Sequence, residues 1–314
     1  MTDLLLFILS LFLLTAGGEF LVNGSSSLAK RLGLSPMVIG LTIVAFGTST
    51  PELGVSIKAS LIGNNDIAVG NVVGSNIFNF LFILGLSSLI APLEVKKEFI
   101  IFDVPVMIIA SFLLTLLSLN HQISQLEGLF LMGLGVLYIL FLLYNNKKKT
   151  TVVSDLDIKG LNLIKSIFFI AIGLGLLVLG SDMLVKSAIL AAKYFHVSDR
   201  IIGLTIVAAG TSLPELITSL VATYKGEREI AIGNVIGSNI LNIFMIVGPS
   251  AILSQEGLTI KNSILNFDLP IMLAVALIAW PIMRSGKKID RIEGSFLVIC
   301  YIVYTSLLIT SFNS

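Results

Sequence analysis

Apolar residues run along this chain in long blocks separated by short polar breaks. Ten blocks, near 3–24, 36–60, 66–91, 99–119, 124–144, 162–186, 199–223, 230–253, 264–283 and 290–312, each extend for roughly 20 residues, the length an α-helix needs to cross a hydrocarbon core. The pattern predicts an all-α membrane protein with ten transmembrane helices. The first block has no basic flank and is too long for the apolar core of a leader, so it reads as a retained helix.

Composition supports that reading. Apolar residues make up 55% of the 314 and charged residues 12%, with a mean hydropathy of +1.00, all outside soluble usage. The single Cys300 excludes an intramolecular disulfide. A net charge of +1, with no basic stripe interleaved with aromatics, gives no sign of a nucleic-acid partner.

Charge placement predicts orientation. With the N-terminus outside, the inner loops hold Lys30, Arg31, Lys96, Lys97, Lys147 to Lys149, Lys159, Lys165, Lys225, Arg228, Arg284, Lys287, Lys288 and Arg291, which is 15 of the 20 Lys and Arg. The outer side keeps Lys58, Lys186, Lys193, Arg200 and Lys261. Short loops rich in Lys and Arg face the cytoplasm, so both termini are expected outside.

The polar stretch 147–161 is the one linker-like segment, expected on the cytoplasmic side. It divides the chain into a five-helix unit over 1–146 and a second over 162–314. The units share sequence. Residues 40–90 and 203–253, aligned without a gap at an offset of 163, agree at 28 of 51 positions. Agreement is densest in GTSTPEL (Gly47–Leu53) against GTSLPEL (Gly210–Leu216), and in GNVVGSNIFN (Gly70–Asn79) against GNVIGSNILN (Gly233–Asn242). An odd number of spans per repeat makes the second copy enter the membrane inverted, an architecture of secondary transporters with midplane sites on interrupted helices.

The repeated blocks carry unusual chemistry for a membrane span. Glu52 and Glu215 fall near the middle of the second and seventh spans, where a buried charged carboxylate costs several kcal/mol unless a cation or proton compensates it. Pro51 and Pro214 interrupt the helix just before each Glu, and Gly47 and Gly210 loosen it on the other side. Carbonyls such as those of Ala45 and Ala208 are thereby expected to turn toward a cavity, and Thr48, Ser49, Thr211 and Ser212 add hydroxyls. Ser75 and Asn79 share a helix face, as do Ser238 and Asn242. Gly70, Gly74, Gly233 and Gly237 form small-xxx-small surfaces for close helix approach. Every donor in this set is oxygen, which suits a hard cation such as Ca2+ or Na+ rather than Zn or Cu. With both Glu ionised the empty site bears two negative charges. One Ca2+ or two Na+ neutralise it, which favours exchange over passage of the empty carrier. A third Na+ makes transport voltage-sensitive, at about 2.3 kcal/mol per charge per 100 mV.

GTSxPEL followed by GNxxGSNIxN, present once in each half, resembles the cation/calcium exchanger superfamily, most closely its prokaryotic Na+/Ca2+ exchangers, over nearly the whole chain. The resemblance implies an antiporter that exchanges Na+ for Ca2+ by alternating access, the first two helices of each half moving across the core. It implies Thr48, Glu52, Thr211 and Glu215 as Ca2+ ligands. Ala45, Ser49, Ser75, Asn79, Ala208, Ser212, Ser238 and Asn242 become Na+ ligands or site lining. No cofactor is implied beyond the transported ions, and a single chain suffices to build the site, in the cell membrane. Many members carry Asp where this chain has Asn242, so the core holds two acids here, not three. H+/Ca2+ and K+-dependent Na+/Ca2+ antiport remain the alternatives.

Other polar residues are expected in lesser roles. Asp103, Asp268, Glu127 and Glu293 read as interfacial or capping groups, His121 as a solvated loop residue, and Trp280 as an interfacial anchor. Glu19 and Asp182 align with each other and sit deep enough to be candidates for an ion pathway. No GxSxG, HExxH or nucleophile–base pair is present, which disfavours an enzyme.

Overall fold

The apolar blocks become helices in a computed structural model that describes residues 2–147, 161–194 and 208–311. In chain order these are α1 (Thr2–Leu32), α2 (Pro36–Thr48), α3 (Thr50–Leu61), α4 (Asn65–Ile90), α5 (Phe99–Asn120), α6 (Gln125–Lys147), α7 (Leu163–Tyr194), α8 (Ala208–Gly210), α9 (Leu213–Tyr224), α10 (Arg228–Leu253), α11 (Ile264–Lys287) and α12 (Arg291–Ser311). Among the described residues eight helices are long and apolar enough to span a membrane, and the pair α2–α3, bent by 46° at its break, brings the number to nine when counted as one span. The expected span 199–223 and the linker 147–161 both include residues outside those described.

Burial ranks the helices. The apolar window of α10 is 94% buried and that of α4 72%, against 17–39% for the remaining long helices. The two central helices therefore carry the second sequence block of each repeat. They are pinned to each other where Asn76 Nδ2 donates to the carbonyl of Asn239 at 3.1 Å and Asn239 Nδ2 donates to that of Asn76 at 3.2 Å. Close approach is made possible by glycine. A Cβ on Gly237 would lie 2.7 Å from Leu41 Cα, and one on Gly233 2.9 Å from the Met37 carbonyl oxygen, so α2 rests directly on the α10 backbone. Outside this core, α1 and α7 pack along their length, Gly17 against Gly173 and Gly24 against the Ser166 carbonyl.

Loops sort onto two faces. Strand β1 (Leu93–Glu94) pairs with β4 (Lys288–Ile289), and β2 (Gln122–Ile123) with β3 (Leu258–Thr259). Lys96 meets Glu229 at 2.7 Å and Arg228 meets Glu94 at 3.3 Å on the β1–β4 face. On the other face Lys261 meets Asp66 at 2.6 Å, and Asn65 Nδ2 donates to Thr259 at 2.9 Å.

Several side roles follow the sequence and others do not. Glu127 and Glu293 cap α6 and α12, accepting from Ser124 N at 2.7 Å and Asp290 N at 2.9 Å. Asp103 is different. It is buried and accepts from Tyr138 Oη at 2.9 Å, and Asp268 accepts likewise from Tyr304 at 2.8 Å, so both are internal helix–helix ties and not caps. Each ends a π-helical turn, Phe99–Asp103 or Ile264–Asp268. Trp280 lies beneath the Arg284 guanidinium, 4.7 Å from the ring centre.

Candidate functional site

Both GTSxPEL motifs break a helix at their Ser. Ser49 (φ −79, ψ 8) closes α2 and opens α3, and Ser212 (φ −90, ψ 10) opens α9. Such ψ values near zero end a run of helical hydrogen bonds. The following Pro sits in the first turn, where its missing N–H costs nothing. Glu52 and Glu215 therefore stand in the first turn of a new helix, whose unpaired N–H groups and dipole favour negative charge. The interruption expected from Pro51 and Pro214 is present, with each Pro at the start of the new helix.

The two carboxylates are fully buried, and each is held by the other half. Ser49 Oγ donates to Glu215 Oε1 at 2.8 Å, and Ser212 Oγ donates to Glu52 Oε1 at 2.8 Å. Ser238 Oγ lies 3.0 Å from Ser49 Oγ, and Ser75 Oγ 3.0 Å from Ser212 Oγ. Four of the expected hydroxyls thus form two crossed chains, each ending on a Glu. The second oxygen of each Glu, Oε2, is buried with no hydrogen-bond partner. Leaving an ionised oxygen in that condition is costly, so the pair is suited to a cation. Asn79 and Asn242 are also fully buried, each opening a π-helical turn, Asn79–Leu84 and Asn242–Val247. Neither polar atom of the Asn79 amide has a partner. Asn242 donates its Nδ2 to Asn76 Oδ1 at 3.0 Å and keeps its Oδ1 unpartnered. Among the described residues no cluster of three or more His, Cys, Asp or Glu exists, which leaves two acids with neutral oxygens around them.

Thr48 and Thr211 take part through residues that the sequence reading passed over. Thr48 Oγ1 donates to Asn234 Oδ1 at 3.0 Å, and Thr211 Oγ1 to Asn71 Oδ1 at 3.3 Å. Asn234 Nδ2 in turn donates to the Glu215 carbonyl at 3.2 Å and Ser219 Oγ at 3.0 Å. Asn71 Nδ2 does the same for the Glu52 carbonyl at 3.2 Å and Ser56 Oγ at 3.0 Å. Because each Thr gives its proton to an amide oxygen, its own lone pairs remain available. The signal was present: Asn71 and Asn234 stand at equivalent positions in the second block.

Ala45 differs from the expectation of a freed carbonyl. Its oxygen accepts from Ser49 N at 3.0 Å, and the Thr48 and Ser238 hydroxyl oxygens lie 3.2 Å and 3.4 Å from it. Ala208 begins the short helix α8, next to residues outside those described. Glu19 and Asp182 lie away from the buried carboxylates. Both are exposed on the outer faces of α1 and α7, and Asp182 pairs with Lys186 at 2.6 Å.

Comparison with known proteins agrees with this geometry. The family model described as sodium/calcium exchanger protein matches residues 2–144 and 165–310. The chain is 37% identical to the putative antiporter CaxA of Alkalimonas amylolytica, covering 97% of this chain and 98% of that protein. It is 34% identical to the sodium/calcium exchanger MaX1 of Methanosarcina acetivorans, covering 98% of each. Its structure superposes on the sodium-calcium exchanger NCX_Mj with a TM-score of 0.84 at 29% identity, covering 98% of each chain. With nearly the whole chain matched and its helices long and apolar enough to span a bilayer, this is an integral membrane protein that belongs to the sodium/calcium exchanger family, a family of transporters.

Proposed function

We propose that this chain is a secondary antiporter exchanging Na+ for Ca2+ by alternating access, working as a monomer in the cell membrane. The observation that carries this reading is the crossed pair of buried carboxylates, each bonded through Oε1 to a Ser of the opposite half and each with Oε2 unpartnered. Two acids from two halves form a site that closes only when the halves meet. A dehydrated Ca2+ held by Glu52 and Glu215, with Thr48 and Thr211 beside them, neutralises the pair. Na+ competes for the same negative charge, flanked by Ala45, Ser49, Ser75 and Asn79 from one half and Ala208, Ser212, Ser238 and Asn242 from the other. The names of MaX1 and NCX_Mj support Na+ as the counter-ion.

The architecture that goes with this function is ten spans in two inverted five-helix repeats, residues 1–146 and 162–314, joined by a cytoplasmic linker at 147–161 with both termini outside. The excess of Lys and Arg on one set of loops supports this orientation. Radiolabelled Ca2+ uptake into proteoliposomes, with outward Na+, K+ or H+ gradients imposed singly at clamped voltage, tests the counter-ion. The Na+ gradient is expected to drive uptake and the other two not. Uptake driven by the H+ gradient alone would make this an H+/Ca2+ antiporter.

A further inference from the structure

The helices that cover the site are tied down unequally in the two halves. α1 lies along α9, close enough that a Cβ on Gly18 would meet Ile217 and Val221 methyls at 3.1 Å. Beyond this apolar contact, polar bonds fasten α1 to the turn between α9 and α10. Ser26 Oγ donates to Glu227 Oε1 at 2.6 Å, and Lys225 Nζ donates to Asn23 Oδ1 at 3.1 Å. Asn23, Ser26, Ser27, Lys30, Lys225 and Glu227 line a cavity of about 580 Å³. Among the described residues lining it, Glu227 is the one carboxylate. Glu94 and Glu229 nearby are already paired with Arg228 and Lys96. On α9, one helical turn beyond Glu215 in the direction of Lys225, lies Thr218. It is fully buried and its Oγ1 has no partner.

The corresponding turn in the first half has the same backbone but different chemistry. Gly63 (φ 75) matches Gly226 (φ 80), the left-handed residue each turn requires. At the offset of 163, however, Glu227 becomes Asn64, Lys225 becomes Ile62, Ser26 becomes Ile189 and Thr218 becomes Val55. Asn64 and Ile62 are exposed, and a Cβ on Gly54, the counterpart of Ile217, would meet nothing within 4 Å. So along α9 toward Glu215 one half offers an acid, a tie to α1 and a buried hydroxyl, a line that α1 covers, whereas among the described residues the mirrored positions have neither the acid nor the tie.

We propose that Glu227 is the gate residue on the face bearing Lys30 and Lys225. Bonded to Ser26, it holds α1 across α9 and closes the route to Glu215. Once α1 moves away, the released carboxylate faces the cavity and receives the entering cation. This rests on the antiport reading, since it assumes that α1 moves during the cycle.

Accessibility labelling tests it without any ion gradient. In a Cys300→Ser background, Thr218→Cys serves as reporter, and a membrane-impermeant thiol reagent is applied to either face of the full-length protein in proteoliposomes. A hydrogen bond to a charged group is strong enough that its loss shifts an opening equilibrium about tenfold. Ser26→Ala and Glu227→Ala are each expected to speed labelling by about that factor from the face bearing Lys30 and Lys225. Ser26→Thr, which keeps the hydroxyl, should retain the slow rate. Unchanged labelling in both alanine variants, or equal acceleration with Ser26→Thr, overturns the gate. Because labelling needs no transport, a responding gate in a protein that failed to exchange ions would count against the antiport reading alone.

Discussion

Ser49 gives its hydroxyl proton to Glu215, a residue 166 positions away in the other repeat, at 2.8 Å, and the mirrored bond runs from Ser212 to Glu52. Neither half therefore completes its own carboxylate. Charged hydrogen bonds of this kind are worth about 1.5–3 kcal/mol. Ser49→Ala and Ser212→Ala are each expected to raise the half-saturating Ca2+ concentration by about tenfold or more. Concentration dependence of radiolabelled Ca2+ uptake checks this, and equal losses in the two variants are expected from the symmetry of the bonds.

Asn234 holds three groups at once: the Thr48 hydroxyl, the Glu215 carbonyl and the Ser219 hydroxyl. Asn71 makes the matching bonds from a partly exposed position. Asn234→Ala leaves several buried polar atoms unpaired at about 1–3 kcal/mol each, while at the partly exposed Asn71 water can replace the bond to the half-buried Thr211 hydroxyl. Thermal unfolding in detergent is expected to show a larger loss for Asn234→Ala than for Asn71→Ala.

Tyr138→Phe strands the Asp103 carboxyl, only 1% exposed, without its donor. Asp268, less buried, loses the same bond in Tyr304→Phe. The first variant is expected to cost about 1–3 kcal/mol and the second less. Asp103→Asn combined with Tyr138→Phe should recover part of the loss, read from the same melting curves.

Two glycines give opposite expectations. Gly237→Ala drives a methyl to 2.7 Å from the Leu41 backbone, an overpacking that costs about 1–3 kcal/mol. Gly54→Ala meets open space within α3, so helix propensity raises stability by up to about 1 kcal/mol. Melting temperatures of the purified variants should move in opposite directions.

How far the sequence could be read depended on which force shaped each part. Helices follow apolar blocks because hydrocarbon thickness sets their length, so α4, α10 and α12 begin and end within a few residues of expectation. α1 and α7 run on to Leu32 and Tyr194 because Ser, Ala, Asn and Lys continue a helix that hydropathy no longer marks. The break at Ser49 was legible in GTSTP. The π-helical turns at Asn79 and Asn242 were not, since they arise from packing rather than local composition. Glu52 and Glu215 stood out through their cost, whereas Asn71 and Asn234 are uncharged and only their bonds reveal their use. The exposure of Glu19 and Asp182 was not legible, because depth along a helix says nothing about which face a side chain takes.

The central claim is that Glu52 and Glu215 together hold the transported cation. Its most direct test is Na+-driven uptake of radiolabelled Ca2+ into proteoliposomes containing the wild-type chain, Glu52→Gln or Glu215→Gln. The account predicts that each substitution alone abolishes uptake while the protein remains folded and membrane-inserted. Exchange at wild-type rates in either variant would contradict it.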